Sequence, residues 1–504
     1  MSLPSKTTSG PDSISSFMLK SSAHSISLPL SIIFNLSISS GLVPLDWKIS
    51  SIVPIPKSSP PSSSPSNYRP ISLLSLVNKL LEKHIHSILL DLSLSKNLIS
   101  PLQFGFVPNR STTSALLYST HSIHSLLEYN PSVCGVFLDL KKAFDSVPHQ
   151  PLIDLLSSHN FPPLLINWLH SYLLNRSQSV RVNGTSSSSQ AVLSGVPQGS
   201  ILGPLLFILF INGITNLSLS HNTHLLLYAD DIFMFKPINS SSDFYNFQSD
   251  LSLVSSWLSS KLLFLNSSKC KYMFFQRTNS PFVNSLPPLL ISDSPINRVY
   301  FFKYLGVFLT PSLSFSMHIS HICNRSRKVL GLIFRHFYRF SSPSSIVRLY
   351  FSLVRPILEY CSPVWSPSSS TLSSKLESVQ LFALKLASKF QPDNISSIVS
   401  SFNISTLSSR RKTHSLKTLF KISHSPSPFP WSSFLLKYPR PPYPIRSFDS
   451  NNFLPISCRS SSFSKSFSPL PSFCGTLSLL LLSPLSPYPV SLPDSLDISS
   501  LAEL

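Results

Sequence analysis

Charge is scarce in this chain: only 12% of its 504 residues are Asp, Glu, Lys or Arg, about half the usual share of a soluble protein. The shortage is mostly acidic, with 20 Asp plus Glu against 40 Lys plus Arg and a formal net charge of +20. That balance suits a polyanionic partner such as nucleic acid, and leaves an enzyme for acidic substrates open. The mean hydropathy of +0.20 is high for a soluble protein and predicts poor solubility in isolation. Long apolar runs are nevertheless missing. The best candidate, ILGPLLFILFINGI from Ile201 to Ile214, is shorter than the roughly 20 apolar residues a membrane helix needs. It is bounded by polar Gln198 to Ser200 and by Thr215 and Asn216, so it reads as a buried helix, and no membrane partner is expected. Cysteine is sparse too. The six, at 134, 270, 323, 361, 458 and 474, form no CxxC pair and no cluster with histidine, which argues against structural zinc and for a reducing, intracellular setting. The opening MSLPSKTTSGPDS lacks the basic-then-apolar order of a secretory signal.

The length permits two to four domains at roughly 100 to 200 residues each. Up to about residue 100, short apolar runs surround a Pro/Ser segment, Pro54 to Ser66, that reads as a mobile loop lined by Lys57 and Arg69. Seven of the 12 glycines fall between Gly105 and Gly213, in turns around apolar runs, and that stretch is the expected organised core. From about 316 to 390 apolar residues recur three and four apart, as in Val329, Leu332 and Ile333, then Leu376, Val379 and Phe382, which predicts helices. Beyond about 420 Ser and Pro dominate, and no single packed unit is expected.

The residues that carry chemistry begin with CGVFLDLKKAFDSVPH at Cys134. Val133 to Leu138 reads as a strand, so Asp139 stands at its C-terminal end, with a turn or helix following at Lys141 to Phe144. In LLLYADDIFMFK, from Leu225 to Lys236, two apolar strands flank Tyr228, Ala229, Asp230 and Asp231 as in a hairpin. If that turn lies beside Asp139, three carboxylates converge, and such crowding is tolerable when metal ions compensate it. Magnesium, a hard ion that prefers oxygen ligands, fits such a site. Two ions, with manganese able to substitute, could activate a primer 3′-hydroxyl and balance charge on a leaving pyrophosphate. Asp139 and Asp230 would bridge them, with Asp231 nearby. The alternative is that Asp145, Asp230 and Asp231 cap turns, as many loop aspartates do. Between the carboxylates runs LSGVPQGSILGPLLFILF, Leu193 to Phe210, in which Gly195, Pro197, Gln198, Gly199 and Ser200 make a small-residue entry to the apolar helix. A polymerase needs bases to approach backbone closely there, and Gln198 can offer an amide hydrogen bond. A loop leading into an ordinary core helix is the other reading.

Taken in order, GPDSI at 10 to 14, YRPISLL at 68 to 74, QFGFVPNRST at 103 to 112, FLDLKKAFDSVPH at 137 to 149, SGVPQGSILGPLLF at 194 to 207, YADD at 228 to 231 and YLGVFL at 304 to 309 resemble the reverse transcriptases of non-LTR, LINE-like retrotransposons of animals. The resemblance covers roughly residues 10 to 420. It implies an α+β right-hand polymerase with fingers, a palm of antiparallel or mixed sheet backed by helices, and a helical thumb. Residues 1–132 would be an N-terminal extension and fingers, 133–310 the palm with finger elements and a primer-grip-like hairpin, 311–420 the thumb, and 421–504 a Ser/Pro-rich tail, partly ordered at most.

The implied activity is RNA-directed DNA synthesis from an RNA template, a DNA primer or target, and deoxynucleotides, with the nucleus as the place of target-primed synthesis and a cytoplasmic complex with element RNA. No dedicated protein partner is inferable. By the same resemblance Asp139, Asp230 and Asp231 are the catalytic carboxylates, and Phe144 is an aromatic gate against a ribose 2′-hydroxyl. Lys57, Arg69 and Arg110 are finger cations for phosphates or template, joined at the nucleotide by Gln198, Gly199 and Lys269 of the LNxxK segment. Tyr304, Leu305 and Gly306 belong to a primer-positioning hairpin. Arg325, Arg327, Lys328, Arg335 and Arg339 form a basic series for the template–primer backbone. RPILEY at Arg355 to Tyr360 suggests structural support, and Arg410, Arg411 and Lys412 a later basic cluster. Two departures stand out: no room for the family's N-terminal endonuclease, and no partners for Cys458 and Cys474 in a CCHC knuckle. The chain therefore reads as a polymerase-bearing fragment or degraded genomic copy. An intron-type maturase, a viral RNA polymerase and a nonenzymatic nucleic-acid-binding remnant are the alternatives.

Overall fold

In the computed structural model, residues 8–57, 60, 63–277, 281–339, 341–391 and 393–424 are described. The expected tail beyond 424, with Cys458 and Cys474, lies outside the described residues. The chain divides between Asn324 and Arg325 into two units, and the architecture is α+β.

In the first unit, every residue of the strand Ser132–Leu138 is buried. Buried on both sides, it is a run of apolar and small residues rather than an apolar–polar alternation. It is central in a mixed five-stranded sheet, antiparallel to Asp231–Pro237 on one side and to Lys271–Gln276 on the other. His224–Tyr228 continues the sheet beyond Asp231–Pro237, and Asn297–Arg298 runs parallel to Lys271–Gln276. On one face, Cys134, Val136 and Leu138 join Met234, Tyr272 and Phe274 in a core completed by Phe244, Phe247, Leu251, Val254 and Leu258 of the helix Ser241–Ser260. On the other, the Phe137 ring stacks on Phe233 at 4.5 Å and on Phe302 at 4.2 Å. Aromatic rings crowd this second face, and Gly135 is the position that admits them: a Cβ there would lie 2.8 Å from Phe275 Cε2 and 3.0 Å from Phe233 Cε2.

A second sheet carries the N-terminal segments. Ile49–Pro56 pairs antiparallel with Tyr68–Leu73 and parallel with the start of Arg176–Val182. The expected loop from Pro54 to Ser66 is therefore too long, because Pro54, Ile55 and Pro56 pair with Pro70, Arg69 and Tyr68. The ladder tolerates these prolines for a geometric reason. The Lys57 N–H donates to Asn67 O at 2.8 Å, so by alternation Pro54, Pro56 and Pro70 fall at positions whose N–H does not enter this ladder. The apolar run of the sequence forms the helix Leu202–Ile211, buried at every residue except Pro204. Among the described residues no helix is long and apolar enough to cross a membrane.

The second unit is helical, with Pro343–Leu349, Ser370–Ala387, Asp393–Ser401 and Leu407–His424 as its longer helices after Ser316–Phe337. Tyr350 Oη donates to Gln380 Oε1 at 2.7 Å, and Gln380 Nε2 donates to Ser405 O at 3.1 Å. Glu377 accepts from Leu407 N and Ser408 N at 3.1 and 2.7 Å, capping the last helix. Arg410 pairs with Glu359, and Arg411, 3% exposed, donates to Ser373 Oγ at 3.0 Å. Two of the three cations in the expected later cluster are thus internal ties, and RPILEY supplies one of their partners.

The crowding at Gly135 yields a stability test. Gly135→Ala is expected to destabilise the protein by about 1 to 3 kcal/mol, as overpacking does. A urea midpoint equal to that of the parent protein would show that the rings can move aside.

Candidate active site

The aspartates meet because of register. Leu138 pairs with Ile232, so Asp139, the next residue of the central strand, comes level with Asp231 at the start of the neighbouring strand. Tyr228 and Asp231 close the hairpin, which leaves Ala229 and Asp230 as a two-residue turn, with Ala229 at φ +55°. The 3-10 turn Ala143–Ser146 follows Asp139, entered through Lys142 at φ +48°. The LNSSK segment is stitched alongside: Lys141 N donates to Phe264 O and Asn266 N to Asp139 O, each at 2.8 Å. That stitching carries Lys269 Nζ to 3.4 Å from Asp139 Oδ2.

Burial first, and the Asp139 charge after it, raise the Asp230 pKa, while Arg69 and Lys269 pull it back down. Asp231 keeps an exposed face, yet desolvation of its carboxyl, then the Asp230 and Asp139 charges, raise its pKa to about 7. Asp230 and Asp231 therefore both respond to the Asp139 charge. Asp139 Oδ2 is buried and, among the described residues, has no hydrogen-bond partner. No group of three or more His, Cys, Asp or Glu among the described residues is gathered so as to hold a metal ion. The donor set is nevertheless of the kind a hard divalent cation takes, since the groups are all carboxylate oxygens of like charge, which Lys269 and Arg69 offset only in part.

Beside the carboxylates lies a rigid floor. The Phe144 ring stacks on Phe207 at 4.6 Å and meets Phe106 edge-on at 6.2 Å. Gln198 Nε2 donates to Asp145 Oδ1 at 2.9 Å, and Ser194 Oγ donates to Asp145 O at 3.0 Å. Gly195, at φ +91°, has Asp145 Cα 2.7 Å from where a Cβ would stand, and Gly199, at φ +122°, has Ser72 O at the same distance. The Ser72 N–H donates to Gln198 O at 2.7 Å, tying the second sheet to this turn. The fully buried Glu82 accepts from Ile201 N at 2.7 Å and Leu202 N at 3.3 Å, at the start of the helix under Phe144.

The other expected contacts divide. Arg69 is exposed on its strand and close enough to act on Asp230. Lys57 acts on Asp145, and its Nζ donates to Ser66 O at 2.8 Å. Arg110 turns inward: Nη1 donates to Ser100 O at 2.7 Å and to Gln103 O, and burial lowers its pKa to about 10. The strands Phe302–Tyr304 and Val307–Leu309 form a hairpin whose turn residues, Leu305 and Gly306, have φ +43° and +87°. Phe302 and Tyr304 pack on Phe137, fixing the hairpin to the aromatic face of the sheet. In the second unit, Arg325, Arg327, Lys328, Arg335 and Arg339 are all exposed, with Arg327 Nη2 donating to Ser378 Oγ at 3.1 Å.

The family model described as reverse transcriptase (RNA-dependent DNA polymerase) matches residues 55–309. The chain belongs to the reverse transcriptase family. It is 28% identical over 380 residues to a probable RNA-directed DNA polymerase from transposon X-element of Drosophila melanogaster, covering 74% of this chain and 41% of that protein. It is 29% identical over 393 residues to the probable RNA-directed DNA polymerase from transposon BS of the same fly, covering 76% and 43%. With the RNA-directed DNA polymerase from mobile element jockey, also of Drosophila melanogaster, it shares 29% over 367 residues, covering 71% and 39%. It is thus a reverse transcriptase related to those of animal non-LTR retrotransposons, and the matches span about two fifths of these relatives' length.

Sequence reasoning passed over Glu82 and the Asp145 carboxylate as parts of this candidate site. The helical spacing that puts Glu82 on one face with Leu81, Ile85 and Leu89 was the available signal for the first, since a buried charge needs partners. The aspartates give a pH test. A carboxyl whose folded-state pKa is raised contributes stability that is complete below its unfolded value and lost as pH rises through the folded one. The thermal midpoint of Asp231→Asn should therefore exceed that of the parent by a margin that opens between about pH 4 and 7 and then levels off. A margin independent of pH would exclude the mutual repulsion.

Proposed function

We propose that this chain extends a DNA primer on an RNA template with deoxynucleotides, using Asp139, Asp230 and Asp231 to hold two magnesium ions, for which manganese can substitute. The observation that carries this reading is the convergence of three like-charged carboxylates at the ends of two paired strands, in a chain of this family. The bound ions would activate the primer 3′-hydroxyl and offset charge on the leaving pyrophosphate. Asp139 and Asp230 would bridge, with Asp231 beside them. Lys269 and Arg69 supply positive charge for triphosphate oxygens, with Lys57 further out beside Asp145. Arg110 acts indirectly in this reading, by bracing the 100–103 turn.

The Phe144 ring, supported by Phe207, forms a stiff wall that a ribose 2′-hydroxyl would strike. Gln198 and Gly199 offer an amide and an open backbone to the nucleotide, and the Tyr304–Gly306 hairpin positions the primer end. The exposed cations Arg325, Lys328, Arg335 and Arg339, with Arg327, would attract the template–primer backbone. Priming on nicked chromosomal DNA would place the reaction in the nucleus.

Asp230→Asn is expected to abolish nearly all magnesium-dependent primer extension while keeping template–primer affinity within about twofold, because it removes a ligand and lessens the repulsion of phosphate. Primer extension and fluorescence anisotropy on folded proteins measure both. If the parent protein binds template–primer but extends it no better than this variant across magnesium and manganese titrations, the chain is a binding remnant. Phe144→Ala should weaken discrimination against ribonucleotides more than it slows deoxynucleotide addition, as read from the ratio of kcat/KM values. An unchanged ratio would make Phe144 only a core aromatic.

A further inference from the structure

The turn that carries Asp230 is held from outside its hairpin. The QFGF segment runs parallel to His224–Tyr228 along the strand's other edge: Leu227 N donates to Leu102 O at 2.9 Å, and Phe104 N donates to Leu227 O at 2.8 Å. Between those bonds sits Gln103, with 0% exposure. Its Oε1 accepts from Gly105 N and from Ala229 N, both at 2.9 Å. Both partners are N–H donors, so the carboxamide oxygen, and not its nitrogen, faces the turn.

Three further observations bear on that contact. Ala229 holds φ +55°, a conformation that costs a residue with a Cβ, so the turn needs outside support. A Cβ on Gly105 would lie 2.4 Å from Ala229 N, so the segment presses its backbone against the turn. Gln103 Nε2 is buried and, among the described residues, has no hydrogen-bond partner. A methionine of similar length would leave no such orphan and would also leave the Ala229 N–H unbonded. The residue's contribution is therefore the oxygen. Arg110 completes the bracing, since its Nη1 donates to Gln103 O and Ser100 O.

We propose that Gln103 is a positioning residue of the active site, whose Oε1 pins the Ala229 amide and so fixes the direction in which the turn presents Asp230. The catalytic consequence rests on the polymerase reading above, but the pin itself does not. The variants are Gln103→Met, which removes the acceptor, and Gln103→Glu, which keeps an oxygen at the same reach. Hydrogen exchange at Ala229, referenced to Leu226 within the ladder, reports the pin. Single-nucleotide extension gives kcat and KM for deoxynucleotide, and anisotropy gives template–primer Kd.

Gln103→Met is expected to speed Ala229 exchange about tenfold over the reference and to lower kcat by about tenfold or more, with KM and Kd within about twofold. Gln103→Glu is expected to restore the protection and most of kcat. If Gln103→Met does not fold, Gln103→Asn, which withdraws the oxygen by one methylene, is measured in its place with the same expectation. Unchanged Ala229 exchange in a folded variant overturns the pin, and faster exchange with unchanged kcat in an active enzyme overturns the positioning role. A parent protein that extends no primer overturns the polymerase reading instead, and the exchange comparison alone then decides the pin.

Discussion

The placement of the three aspartates depends on the register of the strand Ser132–Leu138 between its two antiparallel neighbours. Side chains alternate along a strand, so a slip of one residue would exchange its two faces and carry Asp139 away from Asp231. Both faces oppose that slip. One would lose Cys134, Val136 and Leu138 from the core, and the other would push a side chain into the ring space that Gly135 leaves open. Apolar packing thus brings together three groups of like charge, and burial first, with their repulsion after it, shifts Asp230 and Asp231 upward.

A site assembled against its own electrostatics needs stiff surroundings, and the loops provide them through backbone hydrogen bonds. The segment 264–269 bonds to Asp139 and Lys141, the QFGF segment to Leu227 and, through the Gln103 side chain, to Ala229, and the GVPQG turn to Val147, Phe144 and Ser72. Glycine recurs at the closest approaches. Gly105, Gly195 and Gly199 each face backbone atoms nearer than a Cβ would tolerate. The carboxylates are consequently flanked by loops bonded to neighbouring backbone.

The strand before Asp139, the hairpin around Asp230 and Asp231, and the buried helix Leu202–Ile211 were all legible, because apolar runs bounded by polar or glycine turns mark an element within its own few residues. The misses share a different cause. Lys269 was expected at the nucleotide, but nothing local to it says that its Nζ reaches Asp139, a contact made by the loop lying against a strand end 130 positions earlier. Arg110, Arg410 and Arg411 look like surface cations by composition, yet carbonyls, a glutamate and a serine draw them inward. Pro54 and Pro56 suggest a loop until the hydrogen-bond parity of their partner strand is known. Helical spacing in the second unit found the buried Ile333, Leu376 and Val379, but its phase drifted onto Leu332 and Phe382, which are 48% and 38% exposed. Long-range pairing, rather than any lack of local signal, set the boundary of what could be read.

The scarcity of acidic residues acquires a structural meaning from where they lie. Glu82 serves the start of a buried helix, Glu377 caps another, Glu359 holds Arg410, and Asp250, 5% exposed, accepts from Ser220 N at 2.8 Å and Thr223 Oγ1 at 2.6 Å. Glu128, 8% exposed, pairs with Arg277 at 2.6 Å. Each such carboxylate is withdrawn from solvent, whereas Arg69, Arg325, Lys328, Arg335 and Arg339 remain exposed. Low-dielectric surroundings strengthen these internal ties. Lys48, Arg176 and Lys236 are buried as well, so the cations left at the surface, Arg69 and the series from Arg325 to Arg339 among them, carry the part of the charge that a polyanion can meet.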